Sequence, residues 1–179
     1  MPLMGDDNAS KNERFIANSV YGNATAGINV EGGSTEVTVA NNISVDNGID
    51  SPRTDSDIRV DASSVVGTSL DYDLVSLAAG ETVAIWNSVS YSSLATFKAA
   101  TAQERHGIEA KPRWRDPAAA DFRLTARSPA IDSANSLPPG QPRTDIVRTR
   151  RLDNPSTPNT GAGPRRYDDR GAYEFRPHR

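Results

Sequence analysis

Two short segments of this 179-residue chain, Ile28-Asn29-Val30-Glu31 and Ile58-Arg59-Val60-Asp61, interleave polar side chains with apolar ones. At the two-residue period of a β-strand, Ile28, Val30, Ile58 and Val60 turn to one face, and Asn29, Glu31, Arg59 and Asp61 to the other. Laid side by side, the segments stack Glu31 on Asp61 and Asn29 on Arg59. Two stacked carboxylates repel unless a cation or a neighbouring arginine intervenes. Hard carboxylate oxygens of this kind suit Ca2+. The polar stretch Ile49–Ser56 and the residue after it add Asp50, Arg53, Asp55 and Asp57 above the same face. The candidate metal set is therefore Glu31, Asp55, Asp57 and Asp61. The candidate substrate set is Asn29, Arg53 and Arg59, because a guanidinium pairs with a carboxylate of an acidic ligand through two parallel bonds. The same residues also suit an ordinary solvated sheet face, since no spacing among them forms a motif.

Other chemistry is thinner. The chain has no cysteine, which excludes disulfides, thiolate catalysis and Cys-ligated zinc. His106 sits in a polar connection and His178 near the end of the chain, both with the character of surface residues. Asp6-Asp7-Asn8 carries oxygens for a cation with no further pattern. Trp86, Tyr91 and Trp114 offer flat faces to sugar rings, or filling between packed segments.

The elements that must hold these groups repeat. Asn18 and Asn23 overlay Asn42 and Asn47 at an offset of 24, with Phe15 on Val39. Gly27–Glu31 overlays Asp57–Asp61 at an offset of 30, and Val39–Ile43 overlays Leu70–Leu74 at 31. A repeat of this length reads as the turn of a solenoid, in which one turn cannot bury its apolar face without a neighbour. Asn18 and Asn42 are placed to bond one another across adjacent turns, and Asp73 in the third is expected to weaken or end that ladder. Ile28, Val30, Val39, Ile58, Val60 and Leu70 are the expected core. Residues 49–56 should protrude as a loop, residues 80–86 should form a strand, and residues 92–101 a short helix behind a serine cap.

Further on, Asp116-Pro-Ala-Ala-Ala-Asp-Phe-Arg-Leu-Thr-Ala-Arg-Ser-Pro-Ala-Ile-Asp132 is answered by Asp168-Asp-Arg-Gly-Ala-Tyr-Glu-Phe175. Together they resemble the closing segment of secreted bacterial right-handed parallel β-helix proteins of the pectate-lyase-like superfamily. The resemblance implies an all-β fold: a right-handed parallel β-helix with a C-terminal cap and one short α-helix. Residues 1–100 would form the coils, and residues 101–179 the last strands and cap of the same solenoid. In that cap Gly171–Phe175 would be the final strand, and Phe122, Leu124, Ile131, Tyr173 and Phe175 would cover the last coil. The resemblance also implies a secreted or cell-surface protein. In lyases of the superfamily, calcium and an arginine or lysine act on a uronate, and the matching base here is Arg59.

Composition bounds these readings. Hydrophobic residues are 36% of the chain and its mean hydropathy is -0.58, polar enough to suit a thin, elongated fold. The net charge of -3 conceals an acidic first half, with 5 basic and 13 acidic groups in residues 1–100, and a basic second half, with 15 and 10. The basic groups form no Lys/Arg-rich stripe for nucleic acid. No apolar run approaches a membrane span. Met1–Gly5 lacks the basic and apolar regions of a secretory leader, so the resemblance implies a mature piece of a longer secreted protein. The reading of function is a carbohydrate-binding β-helix module, the C-terminal part of such a protein. The alternative is a polysaccharide lyase, or less readily a glycoside hydrolase, working on an acidic polysaccharide with calcium. The polar N-terminal residues are too few to cover the first coil, whose exposed edge, with Phe15 exposed, is expected to favour self-association.

Overall fold

The computed structural model describes residues 3–4, 9–51, 54–77 and 82–177. Strands dominate it, with a single α-helix. In chain order the strands are β1 (Leu3–Met4), β2 (Arg14–Ile16), β3 (Ser19–Tyr21), β4 (Ile28–Val30), β5 (Thr38–Ala40), β6 (Ile43–Val45), β7 (Ser56–Val60), β8 (Ser69–Asp71), β9 (Leu74–Ser76), β10 (Thr82–Trp86) and β11 (Val89–Tyr91). The helix α1 (Leu94–Thr101) follows, then β12 (Ile108–Glu109), β13 (Trp114–Asp116) and β14 (Asp121–Leu124).

Up to β10, each strand pairs in parallel with the strand three places along. The sheets run β1-β4-β7-β10-β11, β2-β5-β8 and β3-β6-β9-β12. The registers are those of the repeat overlays. Phe15 lies beside Val39 and Val39 beside Leu70, Ile28 beside Ile58, and Ile43 beside Leu74. Alternation explains why they hold, because a slip of one residue would send every valine and isoleucine outward.

All three sheets contribute to one core. Ile28, Val30, Ile58, Val60 and Ala84 meet Val39 and Leu70 from the second sheet and Val20 and Val75 from the third. The six expected core residues are all buried. Helix α1 packs against this core through Leu94 and Phe97. Its start is capped by Ser93, whose side chain accepts from the Thr96 N–H. Burying two such side chains contributes about 1.5–3 kcal/mol each. Trp86 and Tyr91 pack edge-on against Phe97. Both rings are half-buried against the core there. The expected strand over 80–86 is β10, and residues 80–81 lie outside the described residues.

The bends between strands use a common device. Ala17, Asn41 and Tyr72 all adopt left-handed backbone angles, with φ of 56°, 61° and 64°. They are followed by the ladder residues Asn18, Asn42 and Asp73, and the side chain of each of the latter two satisfies the bend one repeat earlier. Asn42 Oδ1 accepts from Asn18 N and Nδ2, both at 2.9 Å. Asp73 Oδ1 then accepts from Asn42 N and Nδ2 at 2.6 and 2.8 Å. The ladder therefore does not end at Asp73. A carboxylate accepts as well as an amide there, and Asp73 N passes on to Glu104 Oε2 at 3.1 Å.

The C-terminal region departs from expectation in two ways. Phe122, Leu124, Ile131 and Phe175 do not close the end of the core. They cluster with Trp114 on the outer side of the third sheet, over Ile43, Val45 and Leu74. Apolar residues stand on both faces of β9, Val75 in the inner core and Leu74 outside, so that sheet needs cover outside as well as inside. Gly171–Phe175 is not a strand. Its N–H groups bond to scattered partners: Gly171 N to Asn41 O, Ala172 N to Ser19 Oγ, and Phe175 N to an Asp169 carboxylate oxygen. Gly171 has φ of +81°, and a Cβ there would lie 2.7 Å from Ile43 Cδ1. Only glycine fits both the conformation and the close approach.

Candidate functional site

The anticipated polar face forms in part. Asn29 and Arg59 are paired neighbours on β4 and β7. Arg59 Nη1 donates to Asn29 Oδ1 at 2.9 Å and to Glu31 Oε2 at 2.8 Å. The Arg59 and Glu31 side chains are only 13% and 14% exposed, so the guanidinium is already held by a carboxylate and an amide. Asp61 turns aside. Its carboxylate accepts from Gly32 N at 3.1 Å and from Ser63 Oγ at 2.8 Å, tying down the turn beside it.

The loop residues separate further. Asp55 is exposed just ahead of β7, and Arg53 lies outside the described residues, as do Asp6-Asp7-Asn8 and His178. The stretch 49–56 is less of a protrusion than expected, since Thr54 and Ser56 are buried. Asp57 is fully buried. Its Oδ1 accepts from Ser44 Oγ and from Asn47 N and Nδ2, at 3.0–3.3 Å. Burial pushes its pKa well above the usual carboxylate value, against the pull of the bonds from Asn47 and Ser44. Asp57 is thus an internal acid, and its expected place in a surface calcium set is corrected. The cause is tertiary: Ser44 and Asn47 put donors inside, and the aspartate answers them. Among the described residues, no three His, Cys, Asp or Glu side chains converge to hold a metal ion.

A different concavity collects more suitable groups. A cleft of about 380 Å3 lies where the β13 segment crosses β3, β6 and β9. Tyr21, Trp114 and Pro117 line it, with Lys111, Arg113 and Asp46 at its sides. Trp114 is held by β13–β14 pairing opposite Leu124. Its ring meets Tyr21 edge-on at 5.8 Å and Phe122 at 4.8 Å. Trp114 Nε1 is a buried donor with no hydrogen-bond partner among the described residues. Arg113 has φ of +55°, a left-handed kink pinned by Thr125, whose N and Oγ1 both donate to the Arg113 carbonyl. Lys111 and Arg113 are exposed, so two cations and one carboxylate border an aromatic floor. The alternation Lys111-Pro-Arg-Trp-Arg115 is the sequence signal for this cleft, and only Trp114 had drawn notice as a sugar-stacking residue.

The remaining charged groups do structural duty. His106 Nδ1 lies 2.8 Å from Asp71 Oδ2 and its ring stacks on Tyr72. Buried Arg170 donates to the carbonyls of Asp73, His106 and Ser133 and lies over the Tyr72 ring. Beside it, burial raises Asp73 to about 6 and carries Glu104 well above its usual range, with the charge of Asp73 adding to the latter. In the C-terminal segment, Arg151 bridges the Asp169 carbonyl and Glu174. Burial raises Glu174 to about 7, Asp132 to about 6, and Asp169 well above its ordinary value. Asp132, Asp169, Arg170 and Glu174 sit in the Ser128–Asp132 and Asp168–Phe175 stretches.

No helix of the described residues is long and apolar enough to cross a membrane. Comparison with protein-family models, with curated proteins and with solved structures finds no match.

Proposed function

We propose that this chain is a right-handed parallel β-helix module, the C-terminal part of a longer secreted protein of pectate-lyase-like type, and that it holds an acidic polysaccharide without cleaving it. Three parallel sheets built from every third strand support the solenoid, as do asparagine ladders between repeats of 24 and 31 residues. The observation that carries the ligand class is the cleft. An aromatic floor of Tyr21 and Trp114 suits the apolar face of a pyranose, and Lys111 and Arg113 at its rim suit a uronate carboxylate. Arg59 is less suited to that task, since Glu31 and Asn29 already occupy its Nη1.

Calorimetric titration with oligogalacturonate and with oligomeric alginate, with and without calcium, tests the reading. Binding is expected to fall about tenfold in Lys111→Ala and in Arg113→Ala, the equivalent of one charge-assisted bond, and to persist in Arg59→Ala. Absence of binding to every acidic oligomer would sink the proposal. A rise in absorbance at 235 nm would mark β-elimination and replace binding with catalysis.

A further inference from the structure

The antiparallel pair β13–β14 carries its charges on the outside. From Lys111 to Arg115 exposure alternates: Lys111, Arg113 and Arg115 are exposed, and Pro112 and Trp114 are buried. On the facing chain Leu124 is buried, and Arg123 and Arg127 are exposed. Trp114 pairs with Leu124, and Thr125 N donates to the Arg113 carbonyl, which brings Arg115 and Arg123 to neighbouring positions on the two strands. Ser128 Oγ donates to the Pro112 carbonyl and holds the Arg127 turn against the Lys111–Arg113 stretch. Like charges set across a strand pair destabilise it. Packing does not ask for them, because Trp114, Phe122 and Leu124 supply the apolar contact of this ribbon.

Two carboxylates lie among these five cations, and both are engaged. Asp116 Oδ1 accepts from Ala119 N and caps the turn after β13. Asp121 pairs with Arg123, and that arginine, with Arg115 behind it, holds the Asp121 carboxyl down to about 2. Among the described residues, no carboxylate pairs with Lys111, Arg113 or Arg127.

The cations connect three concavities. Lys111 and Arg113 line the Trp114 cleft. Two further grooves, of about 310 and 540 Å3, share Ala126, Phe175 and Pro177. Arg115 lines the first of them and Arg127 the second, which also presents Asn154, Ser156 and Thr157. Phe175 is half-buried, with its N–H held by Asp169, and its ring suits the apolar face of a second sugar.

We propose that an acidic polysaccharide runs as an extended chain from the Trp114 cleft, across β13–β14, into the Phe175 groove, with its carboxylates on Lys111, Arg113, Arg115 and Arg127. The ribbon is then a track that reads charge recurring along a polymer, not a pocket for one terminal sugar. Residues 1–100, with 5 basic and 13 acidic groups, repel such a ligand and leave the ribbon as its landing place. This extension rests on the polysaccharide reading and adds Arg115, Arg127 and Phe175 to it.

The test is calorimetric titration of the whole protein with a galacturonate trimer and a nonamer, without calcium, over a series of salt concentrations. The trimer fits the cleft alone, and the nonamer reaches the far groove. For the nonamer, the logarithm of the affinity should fall with the logarithm of salt about twice as steeply as for the trimer, since four cations are engaged rather than two. The double variant Arg115→Gln, Arg127→Gln should bind the nonamer about tenfold more weakly, with the salt slope of the trimer. Both side chains are exposed, so its circular-dichroism spectrum should match the wild type. Equal nonamer affinity and slope in wild type and variant would overturn the track and leave the cleft reading standing. Absence of binding by either oligomer would sink both. An oligothymidylate of matched charge that binds more tightly than the nonamer would also overturn the proposal, because the ribbon would then be a nucleic-acid surface.

Discussion

Arg170 joins the C-terminal segment to the strands, and replacing it with methionine isolates that joint. The guanidinium is 3% exposed and makes four hydrogen bonds: to Ser133 O and Oγ at 3.1 and 3.0 Å, and to Asp73 O and His106 O, each at 2.9 Å. Methionine preserves most of the volume, so the loss is electrostatic and polar rather than a cavity. Carbonyl oxygens packed around an apolar side chain lose about 1–3 kcal/mol each. The charge left on the Asp73–Glu104 pair loses its counterion as well, and breaking a buried pair in this way costs about 3–5 kcal/mol. The terms overlap, because they describe the same desolvated neighbourhood, and the expected loss is about 3–5 kcal/mol near pH 7.5. That is a large share of a typical domain's stability, about 5–15 kcal/mol. Protonation limits the damage. Asp73, raised to about 6, can take up a proton once the cation is gone, so the loss should shrink at pH 5. Urea unfolding of the wild type, Arg170→Met and Arg170→Lys at both pH values is the assay. Lysine keeps the charge but not the three-way fork, and its loss should be intermediate. A loss below about 1 kcal/mol at both pH values, or one that grows on acidification, would refute the reasoning.

Two further outcomes follow from the buried polar groups. Asn42→Leu removes four side-chain bonds, to Asn18 N and Nδ2, to Phe15 O and to Asp73 Oδ1. It should cost about 2–4 kcal/mol by urea unfolding, and a neutral result would mean that the ladder adds no stability. The pH dependence has a definite sign. Burial raises Asp73 and Asp132 to about 6 and Glu174 to about 7, so the folded state holds more protons than the unfolded chain from about pH 4 to 7. Their contribution is complete below the unfolded values and is lost as pH rises through the folded ones. The melting temperature should therefore be higher at pH 5 than at pH 7.5, and a scan that rises steadily to pH 8 would contradict it.

The sequence alone determined the strand registers and the inner core. Offsets of 24, 30 and 31 residues place Val39 on Leu70 and Ile58 on Ile28 because a repeat stacks like on like, and strict alternation allows only one face inward. It also determined the helix, since a serine cap and the pair Leu94 and Phe97 are local signals. Only the tertiary structure decided the rest. Asp57 shares its strand's polar set with Arg59 in sequence, yet it enters the interior because Ser44 and Asn47, ten or more residues away, wait there with donors. Asp73 extends the ladder because Glu104 follows it and Arg170 stands near, and neither is close in sequence. Arg59 is already engaged by Glu31, and the basic aromatic cleft at Trp114 takes over as candidate site because the C-terminal segment lies along a sheet face instead of across an end. Periodicity reports which residues share a strand face. It carries no information on which distant polar group meets them, and in this chain those meetings separate a buried acid from a surface ligand.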